Sequence, residues 1–227
     1  MLKAKVILAA LAVPLALGAF GSASASAETA TKMAWYVSGT ILTKGETAAV
    51  ASPATLDSPA VFNAPKLTLK ITCSKYSTTN AEIFGGEEEK GQVESAKFED
   101  CSEIAPSTCK LEMPTIASGT LELLLRLFSP PEQAGPHLLK DVHALTGSTI
   151  AVITFEGSGC PIAGERALTG SFLEAASLAT EETSHAIEGL GTFENNSLEL
   201  AGQKVYLEGG KTLLKLSSGS QWSFKAI

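Results

Sequence analysis

Lys66-Leu67-Thr68-Leu69-Lys70-Ile71-Thr72-Cys73 is the stretch of this chain that decides its fold. Apolar side chains occupy every second position and alternate with lysine and threonine. A period of two places each set on its own face of an extended chain, as in an antiparallel strand with one buried face. The pattern therefore predicts a half-buried strand over 66–73, with Cys73 on the core side.

Segments of similar character recur along the chain, separated by turns rich in glycine, proline, serine and asparagine. Residues 120–128 match helix and strand spacing equally well, and their neighbours favour a strand. Only 174–182 has the alanine, leucine and glutamate content of a short helix. Many short strands without a fixed-period repeat predict an all-β fold: an antiparallel β-sandwich or barrel with at most one short helix.

Glycine-rich turns and one Ala/Ser/Pro-rich segment divide these strands. The polar turn over 85–91 predicts a hairpin between 81–84 and 92–98. Gly209-Gly210 permits the positive φ angles of a tight primed turn, which predicts a second hairpin with Glu208 opposite Lys211. Residues 48–65 are interpreted as a loop.

The first 27 residues have the order of a secretory signal peptide. Lys3 and Lys5 precede an apolar run over 6–20, and small residues follow, ending in Ala25-Ser26-Ala27. We expect cleavage after Ala27 and a single secreted β domain over 28–227, extracellular, or periplasmic if the host has an outer membrane. No second apolar stretch approaches membrane-spanning length, so no membrane insertion is expected after cleavage.

Four cysteines stabilise the predicted domain: Cys73, Cys101, Cys109 and Cys160. An even number in an exported chain predicts two disulfides. Their spacing matches no zinc site, so no metal is predicted.

Two disulfide arrangements compete. In the first, Cys101 pairs with Cys109 across a short polar loop, and Cys73 pairs with Cys160. In the second, Cys73 and Cys101 pair symmetrically across the predicted hairpin, and Cys109 pairs with Cys160. The first is favoured, because Cys73 points inward whereas Cys101 ends a polar-facing set over 97–99.

Charge and motifs argue against several function classes. The chain carries 24 Asp and Glu against 17 Lys and Arg, a formal net charge of −7. An acidic protein repels nucleic acid at long range, and no basic cluster offsets this. The sequence contains no nucleophile elbow, phosphate loop or zinc-protease motif, so no catalytic or cofactor-binding residue is assigned.

Two sets of residues remain as candidates for function. A hydrolase would need at least two of four residues within hydrogen-bond reach in a cleft: His137, Asp141, His143 and His185. Four aromatic residues near the two ends of the mature chain form a candidate binding surface, or else close the core where the first and last strands pair: Trp35, Tyr36, Trp222 and Phe224.

Several short motifs resemble uncharacterised secreted, four-cysteine, β-rich proteins of soil actinobacteria. They are Trp35, Gly39 and Leu42; Leu69-x-Ile71-x-Cys73; Phe98-x-x-Cys101 leading to Cys109; and Gly157-Ser158-Gly159-Cys160 leading to Leu168-x-Gly170-Ser171. The resemblance implies export, disulfides and β structure. It carries over no functional residue.

These observations predict an exported, non-enzymatic β domain that binds an unknown extracellular or envelope partner or has a structural role there. The first alternative is a barrel that carries a small apolar ligand, which an enclosed cavity lined by the 121–128 region would favour. The second alternative is an extracellular hydrolase that uses the histidines and carboxylates.

Overall fold

Alternation of apolar and polar side chains produces a structure built from antiparallel strands. The computed structural model describes residues 33–86, 90–104, 108–128, 137–191 and 197–227, so the predicted signal peptide lies outside the described residues. Within these ranges there is no α-helix, and the all-β prediction is confirmed. The described residues include no helix long and apolar enough to cross a membrane.

In chain order, the strands are Met33–Val37 (β1), Thr40–Ile41 (β2), Thr47–Ala51 (β3), Thr55–Ala64 (β4), Leu69–Phe84 (β5), Lys90–Ile104 (β6), Lys110–Leu111 (β7), Thr115–Ala117 (β8), Leu121–Phe128 (β9), His137–Ala144 (β10), Thr149–Glu156 (β11), Gly164–Thr169 (β12), Ser171–Ala176 (β13), Ser184–Leu190 (β14), Glu199–Leu200 (β15), Gln203–Lys204 (β16), Tyr206–Leu216 (β17) and Trp222–Ala226 (β18).

Eight of these strands close into an antiparallel barrel. Their order around the barrel is their order along the chain: β4, β5, β6, β9, β10, β13, β14 and β17, with β17 pairing back to β4. Strand β3 continues the position of β4, between β5 and β17. An eight-stranded barrel has an interior just wide enough to be filled by side chains or to hold one small ligand.

Two smaller sheets complete the fold. The connections between barrel strands form a five-stranded half-barrel in the order β16-β15-β12-β11-β7, and it shares a hydrophobic core with the barrel. The first and last strands form a three-stranded sheet in the order β18-β1-β2, called the terminal sheet below. It packs on Ile83, next to the tip of the β5–β6 hairpin, and on Leu216 at the end of β17.

The long hairpin of β5 and β6 confirms the strand around Ile71 and corrects its start. Leu69, Ile71 and Cys73 are buried as predicted. Residues 65–67 instead form a 3-10 turn, and Thr68 has a left-handed backbone conformation. The strand therefore begins at Leu69 rather than at Lys66. The predicted hairpin about 85–91 is present, with Ile83 opposite Gly91.

The favoured disulfide arrangement is wrong. Cys73 pairs with Cys101, directly opposite it in the hairpin, and Cys109 pairs with Cys160. The prediction failed because it assumed unbroken alternation along β6. Asp100 has a positive φ of 51°, and this irregularity shifts the alternation so that Cys101 turns inward.

The predicted Gly209-Gly210 hairpin is also wrong. Strand β17 runs on through both glycines, whose φ angles are 66° and 68°. Gly189 lies opposite Gly209 and Ile187 opposite Thr212, so two residues of β17 stand opposite one of β14, and the one extra residue forms a bulge. Because β4 and β14 pair with β17 on its two sides, the chain bends here instead of reversing, and Glu208 does not face Lys211.

Two further segments differ from expectation. Residues 174–182 form no helix: β13 ends at Ala176, and 177–183 cross the terminal sheet as an irregular strap. Here tertiary hydrogen bonds override helix propensity, as in the bond from Phe224 N–H to the Leu178 carbonyl. The expected loop over 48–65 contains most of β3 and all of β4.

Peptide mapping under non-reducing conditions tests the cysteine pairing. Combined cleavage after lysine and glutamate separates Cys101 from Cys109, because Glu103 lies between them. We expect a linked product containing Cys73 and Cys101 and another containing Cys109 and Cys160. A product that joins Cys101 to Cys109 would contradict the register of the β5–β6 hairpin, in which Cys73 lies opposite Cys101.

Candidate functional site

Aromatic residues of the terminal sheet close one end of the barrel. Trp35 and Trp222 stack with ring centroids 5.6 Å apart, and Phe224 lies 4.8 Å from Trp35. All three are buried, with exposed fractions of 3% or less. Tyr36, the fourth residue of the candidate binding surface, is half-buried beneath the Lys225 ammonium, 4.4 Å from the ring centroid. Three of the four therefore close the core where the first and last strands pair, and they form no exposed surface. The terminal sheet with these three side chains, Trp35, Trp222 and Phe224, is called the cap below.

A cavity of about 40 Å³ remains beneath this cap, inside the barrel. Apolar and aromatic side chains form most of its wall: Trp35, Trp222, Leu123, Leu125, Leu178 and Ile187. Two of them belong to β9, within the 121–128 region that the carrier hypothesis singled out. At about 24 cal/mol per Å³, a void of this size costs about 1 kcal/mol of stability if it stays empty.

His185 fastens the cap to the barrel. Its ring is buried and lies edge-on to Trp222, with centroids 4.8 Å apart. Nε2 lies 2.7 Å from the Trp222 carbonyl oxygen, and Nδ1 contacts the Ser177 carbonyl oxygen. Strand β14, the strap over 177–183 and the terminal sheet therefore meet at one imidazole.

Further bonds hold the strap on the terminal sheet. Glu182 and Trp222 exchange two backbone hydrogen bonds of 2.9 and 3.2 Å. Glu181 accepts a hydrogen bond from the Gly39 N–H and lies 3.8 Å from the Lys225 ammonium. The cap is thus fixed by several polar contacts in addition to its apolar packing.

A small polar group of side chains lies deeper in the barrel, called the polar base below. Tyr76, Glu174 and Thr212 line a second cavity of about 10 Å³. Tyr76 and Ile187 belong to the walls of both cavities, so the two cavities are neighbours. Burial, and then the charge of Glu174, raise the pKa of Tyr76 well above its usual range, so its hydroxyl stays protonated at neutral pH.

Of the residues proposed for a hydrolase, the three whose side chains the structure describes lie on opposite sides of the barrel wall. Val142 and Ala144 point into the core, so Asp141 and His143 lie on the outer face of β10, where His143 is 3.2 Å from Glu122. His185 is inside the barrel. Among the described side chains, no hydrogen bond joins Asp141 to either histidine, and no metal-binding group of three is found. The side chain of His137 lies outside the described residues.

Sequence reasoning missed the polar base. Phe172, Glu174 and Ala176 alternate along β13, a period-two signal that places Glu174 inside the barrel with Phe172. The helical composition of 174–182 obscured this signal. Tyr76 was missed because the alternation of β5 shifts between Cys73 and Tyr76, so that both residues are buried.

Replacing His185 by alanine tests the fastening of the cap. We expect His185→Ala to lower the free energy of unfolding by about 2–4 kcal/mol, because it opens a cavity in the core and removes the contacts of the imidazole with two backbone carbonyls. The matched control is His143→Ala on the outer face, where a partly exposed pair contributes less than about 1 kcal/mol. Chemical denaturation measures both, and equal losses would contradict the role of His185.

Alkaline titration tests the environment of Tyr76. Because its pKa in the folded state lies above that of the unfolded chain, its contribution to stability is full below about pH 10 and falls as the pH rises further. The absorbance titration of the wild type minus that of Tyr76→Phe isolates this residue. A difference step at or below the pH of free tyrosine would show that Tyr76 is not buried.

Comparison with known proteins identifies no similar protein. Neither the protein-family models, nor the curated proteins, nor the solved structures give a match to this chain. The capped cavity and the polar base are therefore the features from which a function can be inferred.

Proposed function

We propose that this protein is an exported, non-enzymatic binding protein whose barrel holds one small apolar ligand. The observation that carries the proposal is the cavity beneath Trp35 and Trp222. Ligand sites in proteins are concave and mostly apolar, and the mouth of a β-barrel is one of their usual places. Among the alternatives that follow from the sequence, the carrier is the one that this geometry favours.

The size of the cavity limits the ligand. A volume of about 40 Å³ is more than the 10–15 Å³ or so that one water molecule needs, and an apolar cavity of this kind stays dry. On the same measure it holds about three non-hydrogen atoms, so it suits a very small ligand. Since the best small ligands gain at most about 1.5 kcal/mol per atom, a ligand of three carbons binds with a dissociation constant of about 0.5 mM at best.

Export is part of the same proposal. The signal peptide over 1–27 predicts it, and disulfides persist in oxidising compartments. The acidic charge disfavours nucleic acid as a partner. Resemblance to secreted proteins of soil actinobacteria supports the same location.

Tryptophan fluorescence gives a direct test of ligand binding. The chain has two tryptophans, and both line the cavity, so an occupant changes their surroundings. We expect propane, an apolar probe of three carbons, to produce a saturable change. Native mass spectrometry of the mature protein should also show any bound molecule as a mass excess that denaturation removes.

A matched pair of variants locates the site. Leu125 is buried and lines the cavity, whereas Leu145 is 43% exposed. We expect Leu125→Phe to fill the cavity and weaken propane binding at least about tenfold, while Leu145→Phe leaves it unchanged. No response to propane, or equal affinities in the two variants, would overturn the proposal.

A further inference from the structure

The polar base points to the chemical class of the ligand. An eight-stranded barrel with this many apolar side chains could be filled entirely by leucine and phenylalanine. Instead, a carboxyl group and two hydroxyl groups line one small cavity in its interior: Glu174, Tyr76 and Thr212. A buried polar group is the informative exception in an apolar core.

Two of these side chains show an unusual degree of burial. Glu174 is 7% exposed, although glutamate is almost never fully buried. Thr212 is 1% exposed, and its hydroxyl has no hydrogen-bond partner in the described part of the chain. Buried hydroxyl groups are normally hydrogen-bonded, so the Thr212 hydroxyl calls for a partner that the described residues do not supply.

The dimensions match one hydroxyl group. The small cavity of about 10 Å³ has room for a single oxygen-sized group, and it shares Tyr76 and Ile187 with the larger apolar cavity. Glu174 offers acceptor oxygens, while protonated Tyr76 and Thr212 can each donate or accept. A ligand hydroxyl group can donate to Glu174 and at the same time accept from Tyr76 or Thr212.

We infer that the ligand is a compact monohydric alcohol, with its apolar body beneath Trp35 and Trp222 and its hydroxyl in the polar base. This inference rests on the proposed function, since the apolar cavity must accept the body. The hydroxyl donates to Glu174 and accepts from Tyr76 or Thr212. An apolar molecule of the same shape lacks these bonds and binds more weakly.

Four three-carbon compounds separate the alternatives: propane, 2-propanol, acetone and isopropylamine. We expect 2-propanol to bind at least about fivefold more tightly than propane, the gain of about one net hydrogen bond. The acetone carbonyl can only accept, so acetone lacks the hydrogen bond that the alcohol donates to Glu174 and should bind more weakly than the alcohol. Tighter binding by the amine than by the alcohol would overturn the assignment to an alcohol.

Two conservative variants connect the preference to the polar base. Thr212→Val removes a hydroxyl that has no partner in the described chain, and Tyr76→Phe removes only the phenolic oxygen. At least one of the two should reduce 2-propanol affinity about threefold or more, while both leave propane affinity unchanged. The control is Thr149→Val, at an exposed strand end, which should change neither affinity.

The outcomes separate the two proposals. If propane and 2-propanol bind equally, or if the alcohol preference survives in both variants, the inference about the hydroxyl fails and the carrier proposal stands. If neither compound alters the fluorescence, the carrier proposal fails, and the inference about its ligand fails with it.

Discussion

Closure of the eight-stranded sheet through the pairing of β17 with β4 is the constraint on which the rest of the structure depends. A closed antiparallel sheet has no free edge, and the number of strands sets the width of its interior. Strand β17 can pair on both sides because Gly209 and Gly210 bend it without reversing it. A tight turn at the same glycines would have opened the barrel. The positions of all inward-facing side chains, and therefore of the cavity, follow from this closure.

The terminal sheet converts the closed barrel into a capped one. Trp35 and Trp222 come from opposite ends of the described chain, and each is buried only because β1 and β18 pair. The cap is held by directional contacts as well as by packing, since the carbonyls of Ser177 and Trp222 both lie against the His185 ring. A cap held in this way keeps water out of the cavity beneath it and gives the cavity a defined shape. Both properties suit a binding site for a small ligand.

The interior of the barrel combines two chemistries. Its upper part is apolar and incompletely filled, at a cost of about 1 kcal/mol. Its base contains Glu174, Tyr76 and Thr212, and burial of the Thr212 hydroxyl without a partner among the described residues costs on the order of 1–3 kcal/mol. Neither feature serves stability, because a filled apolar core would be more favourable on both counts. An occupant with an apolar body and one polar head would compensate for both.

Some features of the fold are fixed by the local sequence, and others depend on contacts between distant segments. Local alternation determined that the chain is all-β and that Leu69, Ile71 and Cys73 face a core, because a period of two acts within a single strand. Local alternation did not determine the disulfide pairing, because Asp100 shifts the alternation just before Cys101. It also did not determine the path of the chain at Gly209-Gly210, because positive φ angles occur in a tight turn and in a bulge alike. The sequence alone determined that the chain folds into β-strands and that four cysteines are present to form disulfides. Only the tertiary structure decided that the strands close into a barrel, that the two tryptophans cap it and that Glu174 lies inside, because each depends on which distant segment a strand meets.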